Sequence, residues 1–238
     1  MSEPREPESA PSLSDTLSAA AQRAGFARVA PGETPTASAL LAAVGGVRGL
    51  IESILPGLVF LVVYTLTGDL VPSVVVPIAV AALFVIVRLI TRTPVMPAIV
   101  GAIGIAASAT LALISGRAED NFVPGFWINA ISLTTLVVSL IVRWPLVGLI
   151  VGLLTSDISG WRADRAKVRV MTVATVLWAG LFALRLGVQL PLYFSGNVEW
   201  LAGTKLLMGV PLYAGLLWVT WLLVRAVYAR PERATDAR

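Results

Sequence analysis

Cysteine and histidine are both absent from the sequence. Without cysteine the chain has no disulfide, no iron–sulfur cluster and no thiol catalysis. Without histidine it lacks the commonest metal ligand and the commonest general base. No stretch resembles a P-loop, a metal-ligand cluster or a nucleophile elbow. We therefore expect a protein with no catalytic activity, no resident metal and no cofactor.

Charge is also scarce: 13% of the residues are charged and 57% are hydrophobic, whereas soluble domains carry about 25% charged residues. Several apolar runs are long enough to cross a hydrocarbon core about 30 Å thick. The basic residues lie in short loops beside these runs, where orientation signals and anionic-lipid contacts belong. The sequence therefore predicts an all-α integral membrane protein whose partners are the lipid bilayer and anionic lipids, and not nucleic acid.

The composition divides the chain into three parts. Residues 1–36 contain five prolines and many polar residues, so we predict a disordered cytoplasmic tail that membrane insertion does not need. Residues 37–228 form the predicted transmembrane domain, and residues 229–238 form a short cytoplasmic tail.

Six transmembrane helices are predicted within the central part. They cover about 51–67, 70–90, 95–115, 122–142, about 170–193 and about 200–224. Pro56, Pro77 and Pro211 lie inside these spans and predict kinks. The third span carries small residues at helical spacing, which predict close helix packing: Ala98, Gly101, Ser108, Ala112 and Ser115.

One apolar run, about residues 144–155, is too short to cross, because it reaches only about 18 Å as a helix. We predict a non-spanning segment on the cytoplasmic side, either re-entrant or interfacial. Most basic residues then fall on one side of the membrane, and the positive-inside rule places both termini in the cytoplasm of a multi-pass plasma-membrane protein. These basic residues are Arg48, Arg88, Arg92, Arg143, Arg162, Arg165, Lys167, Arg169, Arg225, Arg230 and Arg233.

Arg185, Gln189 and Lys205 are the candidate site residues inside the spans. Arg185 lies roughly 5 Å beyond the midpoint of its span, too deep for its charge to reach the outer interface by snorkelling. We predict that it points into the bundle together with Gln189, which is placed to accept its hydrogen bond. One interpretation is structural: Arg185 and Lys205 either extend their charges outward toward the membrane surface or pair with Glu199, Asp120 or Glu119 to fix the packing. The other is a cationic pocket on the outer side for an anionic lipid or small solute.

Arg48 and Glu52 are one helical turn apart at the cytoplasmic start of the first span, a spacing that suits an ion pair. A structural pair and a site for a cytoplasmic partner or lipid are both open interpretations. No aspartate or glutamate lies deep in any predicted span. Proton-coupled transporters need such titratable relays, so this class of protein is disfavoured.

Four stretches, GGVRGLIESILPGLVFLVVYTLTGDL, NFVPGFWINAISL, RWPL and EWLAGTKLLMGVPL, resemble an uncharacterised bacterial integral-membrane family, a domain of unknown function, over most of residues 40–228. The same framework is distantly similar to the intracellular septation protein A family. The matching positions are Pro56, Tyr64, Asp69, Pro145, Leu146 and Lys205. That resemblance implies a role in cell-envelope integrity or division, through partner proteins and without catalysis.

Two functions therefore stand as hypotheses. The first is a non-enzymatic membrane protein that supports the envelope or division machinery through protein or lipid contacts. The second is a facilitator or binder of an anionic lipid or small solute, using Arg185, Gln189 and Lys205. The sequence leaves the oligomeric state open, and a homo-oligomer is compatible with it.

Overall fold

The computed structural model describes residues 46–154 and 159–228. The predicted tails, 1–36 and 229–238, lie outside these residues. Within the described ranges the chain is helical, with two short 3-10 turns (Ala118–Phe122 and Gly160–Ala163) and no strand. The α-helices are α1 (Gly46–Thr67), α2 (Leu70–Ile90), α3 (Met96–Ser115), α4 (Val123–Ile141), α5 (Leu146–Leu154), α6 (Arg165–Phe194), α7 (Val198–Leu207) and α8 (Val210–Tyr228).

Helices α1 and α2 form a hairpin with a two-residue connection. Gly68 takes the left-handed conformation (φ 63°), which costs glycine little. Asp69 then caps α2, because its side chain accepts a hydrogen bond from the backbone N–H of Val71. Pro56 and Pro77 lie inside their helices without ending them. The tight turn brings the two helices side by side over most of their length.

The largest buried cluster lies where α1, α2 and α3 meet the first 3-10 turn, α4 and α7. Phe60 of α1 packs edge-on against Phe122, with ring centroids 5.5 Å apart. Phe126 of α4 packs in the same way against Tyr193 near the end of α6. These aromatic contacts fix the end of the bundle at which α1 ends and α4 begins.

Five helical stretches in the described ranges are long and apolar enough to cross a membrane: 70–90, 98–115, 118–141 (the first 3-10 turn with α4), 165–194 and 198–228 (α7 with α8). They correspond to the second to sixth predicted spans, so a multi-pass helical membrane protein is confirmed. The apolar part of α1, Ile51–Thr67, is shorter than the other five. The first of the six predicted spans therefore stays a prediction.

Helix α5 corresponds to the short apolar run and has nine residues, Leu146–Leu154. At 1.5 Å per residue it is about 14 Å long, less than half of a hydrocarbon core. It packs against α6 and the second 3-10 turn. A Cβ atom on Gly148 would lie 2.8 Å from the ring of Trp161, which is 1% exposed. Position 155, at the end of the predicted segment, lies outside the described residues.

The last predicted span is broken and not kinked. Helix α7 ends at Leu207 and α8 begins at Val210, with Met208 and Gly209 in the turn between them. A Cβ atom on Gly209 would lie 2.8 Å from the carbonyl oxygen of Lys205, so only glycine fits this turn without a shift. Pro211 stands in the first turn of α8, where its missing N–H breaks no helical hydrogen bond.

Candidate functional site

A cavity of about 400 Å³ lies between α1, α3, α4, α6 and the α7–α8 break. Most of its lining is apolar or small. Two cationic side chains, Arg185 of α6 and Lys205 of α7, are the charged groups among its described lining residues. The structure therefore brings two of the three predicted site residues, 20 positions apart in the sequence, to one cavity.

Arg185 is 8% exposed, so the prediction that it points into the bundle is confirmed. Its guanidinium lies over the ring of Tyr213 in α8, with Cζ 5.2 Å from the ring centroid. This cation–π contact offsets part of the cost of burying the charge. The Nε–H group of Arg185 has no hydrogen-bond partner in the described structure. The site therefore holds a buried charge with an unused donor.

Lys205 stands in the last turn of α7, and its half-buried side chain reaches the same cavity. Its Nζ atom lies 4.8 Å from the centroid of the Phe122 ring, which forms part of the aromatic cluster. A second cation–π contact therefore positions the second cation. The charged groups of Arg185 and Lys205 therefore both contact aromatic rings, and neither contacts a carboxylate of the described residues.

The predicted ion pairs between these cations and nearby acids are not formed. Within the described ranges, neither Arg185 nor Lys205 has an acid within 4 Å. Glu119 pairs with Arg117 at 3.0 Å, and Asp120 accepts a hydrogen bond of 2.6 Å from the hydroxyl of Tyr193. Glu199 is exposed on α7. The structural interpretation that depended on these acids was therefore wrong about the partners.

Gln189 lies one turn beyond Arg185 and is 3% exposed. The predicted hydrogen bond between the two side chains is absent from the described structure, and Gln189 Nε2 has no partner there. Gln189 also does not appear among the residues that line the cavity. The structure therefore buries Gln189 in the core, outside the described lining of the cavity.

The broken last span contributes backbone to the cavity, since Leu206, Gly209 and Val210 all line it. Breaks of this kind at membrane depth are tolerated where the backbone is buried in protein or lines a cavity. The N-terminus of a helix carries a partial positive charge. The C-terminus of α7 at Leu207 carries the opposite partial charge, so the two helix ends at this break largely offset each other.

The sequence predicted that the small residues of α3 pack closely against other helices. Only some of them do. Ala112 is fully buried, as close packing requires. Gly101, Gly104 and Ser108 instead line the cavity, and a Cβ atom on either glycine would meet nothing within 4 Å. Small side chains here leave space between helices. The expected close approach holds only for the end of α3 near the aromatic cluster.

A second cavity, of about 230 Å³, lies between α1, α2 and α3. Glu52 and Arg88 line one part of it, and Arg88 is the partner that sequence reasoning missed. Arg88 Nε donates to Glu52 Oε2 at 2.7 Å, and its Nη1 donates to the Pro94 carbonyl at 2.6 Å. Arg48 Nε donates to the other carboxylate oxygen at 2.9 Å, in the ion pair expected from its spacing.

Arg88 was predicted only as part of the basic side of the membrane. A signal for the contact was available in the sequence: the short connection makes the two helices antiparallel, which places Glu52, near the start of the first span, close to Arg88, near the end of the second. Arg88 is 8% exposed, so its charge depends on the carboxylate for compensation. In the ion-pair cluster of Arg48, Glu52 and Arg88, both arginines share one carboxylate, whereas the two cations of the first cavity have no acid partner among the described residues.

The chain was compared with protein families, curated proteins and solved structures. The model of DUF3159, a protein family of unknown function, matches residues 44–231. The chain belongs to DUF3159. The comparisons with curated proteins and with solved structures each returned no match. Membership of DUF3159 confirms the expected family of unknown function. The distant similarity to the septation protein A family and the bacterial origin stay predictions.

Proposed function

We propose that this protein is a binder or facilitator of an anionic lipid or small solute, and that Arg185 and Lys205 hold the anionic group in the 400 Å³ cavity. The observation that carries the proposal is Arg185, a buried residue (8% exposed) whose Nε–H donor is buried and has no hydrogen-bond partner. A charged side chain inside a membrane domain costs about 2.5–3.5 kcal/mol. An oxyanion with phosphate-like geometry offers the paired acceptors that a guanidinium binds best.

Two further features support an anion and not a cation. The described lining residues include no aspartate or glutamate. The second cation, Lys205, reaches the same space from another helix.

The proposal is tested with the purified full chain in a neutral detergent. Thermal unfolding is followed while sn-glycerol 3-phosphate, a soluble phosphate monoester, is added at constant ionic strength. A ligand that binds only the folded state raises the unfolding temperature in a saturable way. Arg185→Leu removes a charge-assisted hydrogen bond to the anion, so we expect affinity to fall about ten- to a hundredfold. Arg185→Lys should be intermediate, because it keeps the charge and loses the planar fork.

Arg225→Leu is the matched control, because Arg225 is an exposed arginine of α8 that lies over Trp221 and outside the described cavity lining. We expect it to bind like the unaltered chain. Without ligand, Arg185→Leu should unfold at the same temperature or higher, since it removes a buried charge that lacks an acid. Unchanged binding in a folded Arg185→Leu protein would refute the proposal.

We further propose that α1 is the sixth span and that both termini are cytoplasmic in the plasma membrane. Helix α1 has 22 residues, about 33 Å at 1.5 Å per residue, which matches the bilayer core. The Glu52–Arg88 pair puts the start of α1 level with the end of α2. Arg162, which precedes the start of α6, donates through Nη1 to the carbonyl of Arg143, which follows the end of α4, at 2.9 Å. These two basic loops therefore share one side.

A role in cell-envelope integrity or division stays a prediction from the resemblance, as does the absence of catalytic activity. Anion binding is compatible with both, because a lipid-binding membrane protein can act through partner proteins. The oligomeric state also stays open.

A further inference from the structure

We propose that the anion is the phosphate head of a glycerophospholipid and that the acyl chain of this lipid lies in a groove formed by the two cavities together. This inference rests on the proposed function, because the head needs Arg185 and Lys205. The two cavities share four lining residues, Ser53 and Pro56 of α1 with Gly101 and Ile105 of α3. The two cavities are therefore adjacent, and together they are called here the α1–α3 groove.

The length of the groove follows from α1. Its lining residues on this helix run from Gly49 in the second cavity to Phe60 in the first. Eleven residues of helix span about 16 Å. The two cavities together are therefore long enough for an acyl chain to lie along α1.

The walls of the groove are almost entirely apolar or small. Beyond the shared residues they include Ala81 and Phe84 of α2 and Ala98 and Ala102 of α3. An inorganic anion gains nothing from such walls, whereas each buried CH₂ group of a chain contributes about 0.8 kcal/mol. The lining thus favours an amphiphile over a free anion.

The end of the groove that binds the phosphate follows from which charged groups already have partners within the protein. At the end formed by α1 and α2, both oxygens of Glu52 and the Nε and Nη1 groups of Arg88 are already hydrogen-bonded within the protein. At the other end Arg185 Nε is unpaired, and no acid of the described residues pairs with Lys205. The phosphate therefore belongs at the end formed by Arg185 and Lys205, and the chain extends toward α2.

Access is from the side of the bundle. Helix α3 packs mainly on α2 and the first 3-10 turn, and it contacts α4 little. Gly101 and Gly104 on α3 are exposed, and Ile128 on α4 is 64% exposed, while all three line the first cavity. A lipid enters between α3 and α4 from the surrounding membrane, without passing through the packed core.

The test compares ligands that differ only in the acyl chain. Native mass spectrometry of the full chain, at a fixed concentration of neutral detergent, measures binding of sn-glycerol 3-phosphate and of 1-acyl-sn-glycerol 3-phosphate. A lysophosphatidylcholine with the same chain controls for insertion into the micelle. We expect the acylated phosphate to bind at least tenfold more tightly than glycerol 3-phosphate and more tightly than the choline lipid. Equal binding of the two phosphates would overturn the inference.

Gly101→Leu tests the groove itself. A Cβ atom at Gly101 meets nothing within 4 Å, so the leucine fills the wall shared by the two cavities without a backbone clash. We expect at least a tenfold loss of affinity for the acylated phosphate and a change of less than twofold for glycerol 3-phosphate. Ala107→Leu, an exposed position on α3 outside both described linings, should change neither.

If Gly101→Leu does not fold, Ala98→Leu fills the second cavity alone and carries the same expectation. A folded variant that binds the acylated phosphate like the unaltered chain refutes the acyl groove. That failure is distinct from failure of the proposed function, in which Arg185→Leu would leave binding of glycerol 3-phosphate unchanged.

Discussion

Arg88 and Glu52 join the open ends of the α1–α2 hairpin, with Nε and Oε2 2.7 Å apart. The two residues are 36 positions apart in the sequence. The side chain of each is 10% exposed, and Arg48 adds a second hydrogen bond to the same carboxylate. The α1–α2 hairpin therefore has its turn at Gly68 and an ion pair between its two helices at the opposite end.

Glu52→Gln should destabilise the folded protein by about 3 kcal/mol or more, because it leaves the largely buried guanidinium of Arg88 without a countercharge. Thermal unfolding in detergent measures the loss. Arg48→Ala is the control, since its side chain is 44% exposed and such pairs contribute at most about 1 kcal/mol. Equal effects of the two substitutions would show that Arg88 does not depend on the carboxylate.

Gly148→Ala should destabilise the protein by about 1–3 kcal/mol through overpacking. The added Cβ would lie 2.8 Å from the Trp161 ring and 3.1 Å from Met171 Cβ, and both of these residues are buried. Gly180→Ala, in the middle of α6, is matched to it but meets nothing within 4 Å. Helix propensity predicts a gain of up to about 1 kcal/mol there. Unfolding temperatures that shift in the same direction would contradict this account.

Tyr193→Phe removes the hydroxyl that donates to Asp120 Oδ1 at 2.6 Å. Asp120 is 9% exposed, so we expect a loss of about 1.5–3 kcal/mol, the range for hydrogen bonds to charged groups. Tyr64→Phe is the comparison, because the Tyr64 ring stacks on Phe60 while its hydroxyl has no hydrogen bond within the described residues. Chemical unfolding of both variants should separate them by more than 1 kcal/mol. Equal stabilities would mean that the Asp120 bond contributes nothing net.

Single cysteines report the topology cleanly, because the natural chain has none. With six spans and cytoplasmic termini, Gly160→Cys lies inside the cell and Ser195→Cys lies outside. An impermeant maleimide added to intact cells should label position 195 and leave position 160 unlabelled until the membrane is permeabilised. Strong labelling at position 160 from outside would contradict both the six-span topology and the cytoplasmic position of the 144–155 segment.

The spans were readable from the sequence because hydropathy and length alone decide them. Leu70–Ile90 begins and ends in the structure where its apolar run begins and ends, since Asp69 and Thr91 flank it. The break after Leu207 was not readable in the same way. Pro211 predicted a kink, but the position of the break depends on how Gly209 packs against the carbonyl of Lys205, a contact at close range that periodicity does not reveal.

For the candidate site, the sequence identified the cationic residues but not the residues that surround them. A charged side chain within an apolar run has a high free-energy cost in a membrane, so Arg185 could be identified from the sequence alone. The partners of a charge depend on three-dimensional contacts that the sequence does not show. Asp120 accepts a hydrogen bond from Tyr193, 73 positions away, and therefore does not pair with Arg185. Likewise Gly101 and Ser108 suggested close packing, whereas both line the first cavity, and a Cβ atom on Gly101 would meet nothing within 4 Å.

The interruption at Met208 and Gly209 also bears on hydrophobic matching. Residues 198–228 are 31 residues of apolar sequence, which as one straight helix would be about 46 Å long. A bilayer core of about 30 Å would have to accept this rod by strong tilt or local thickening. Two helices of 10 and 19 residues need not be collinear, so each adopts its own inclination. The same short turn that brings Lys205 to the cavity thus lets an overlong segment fit a membrane of ordinary thickness.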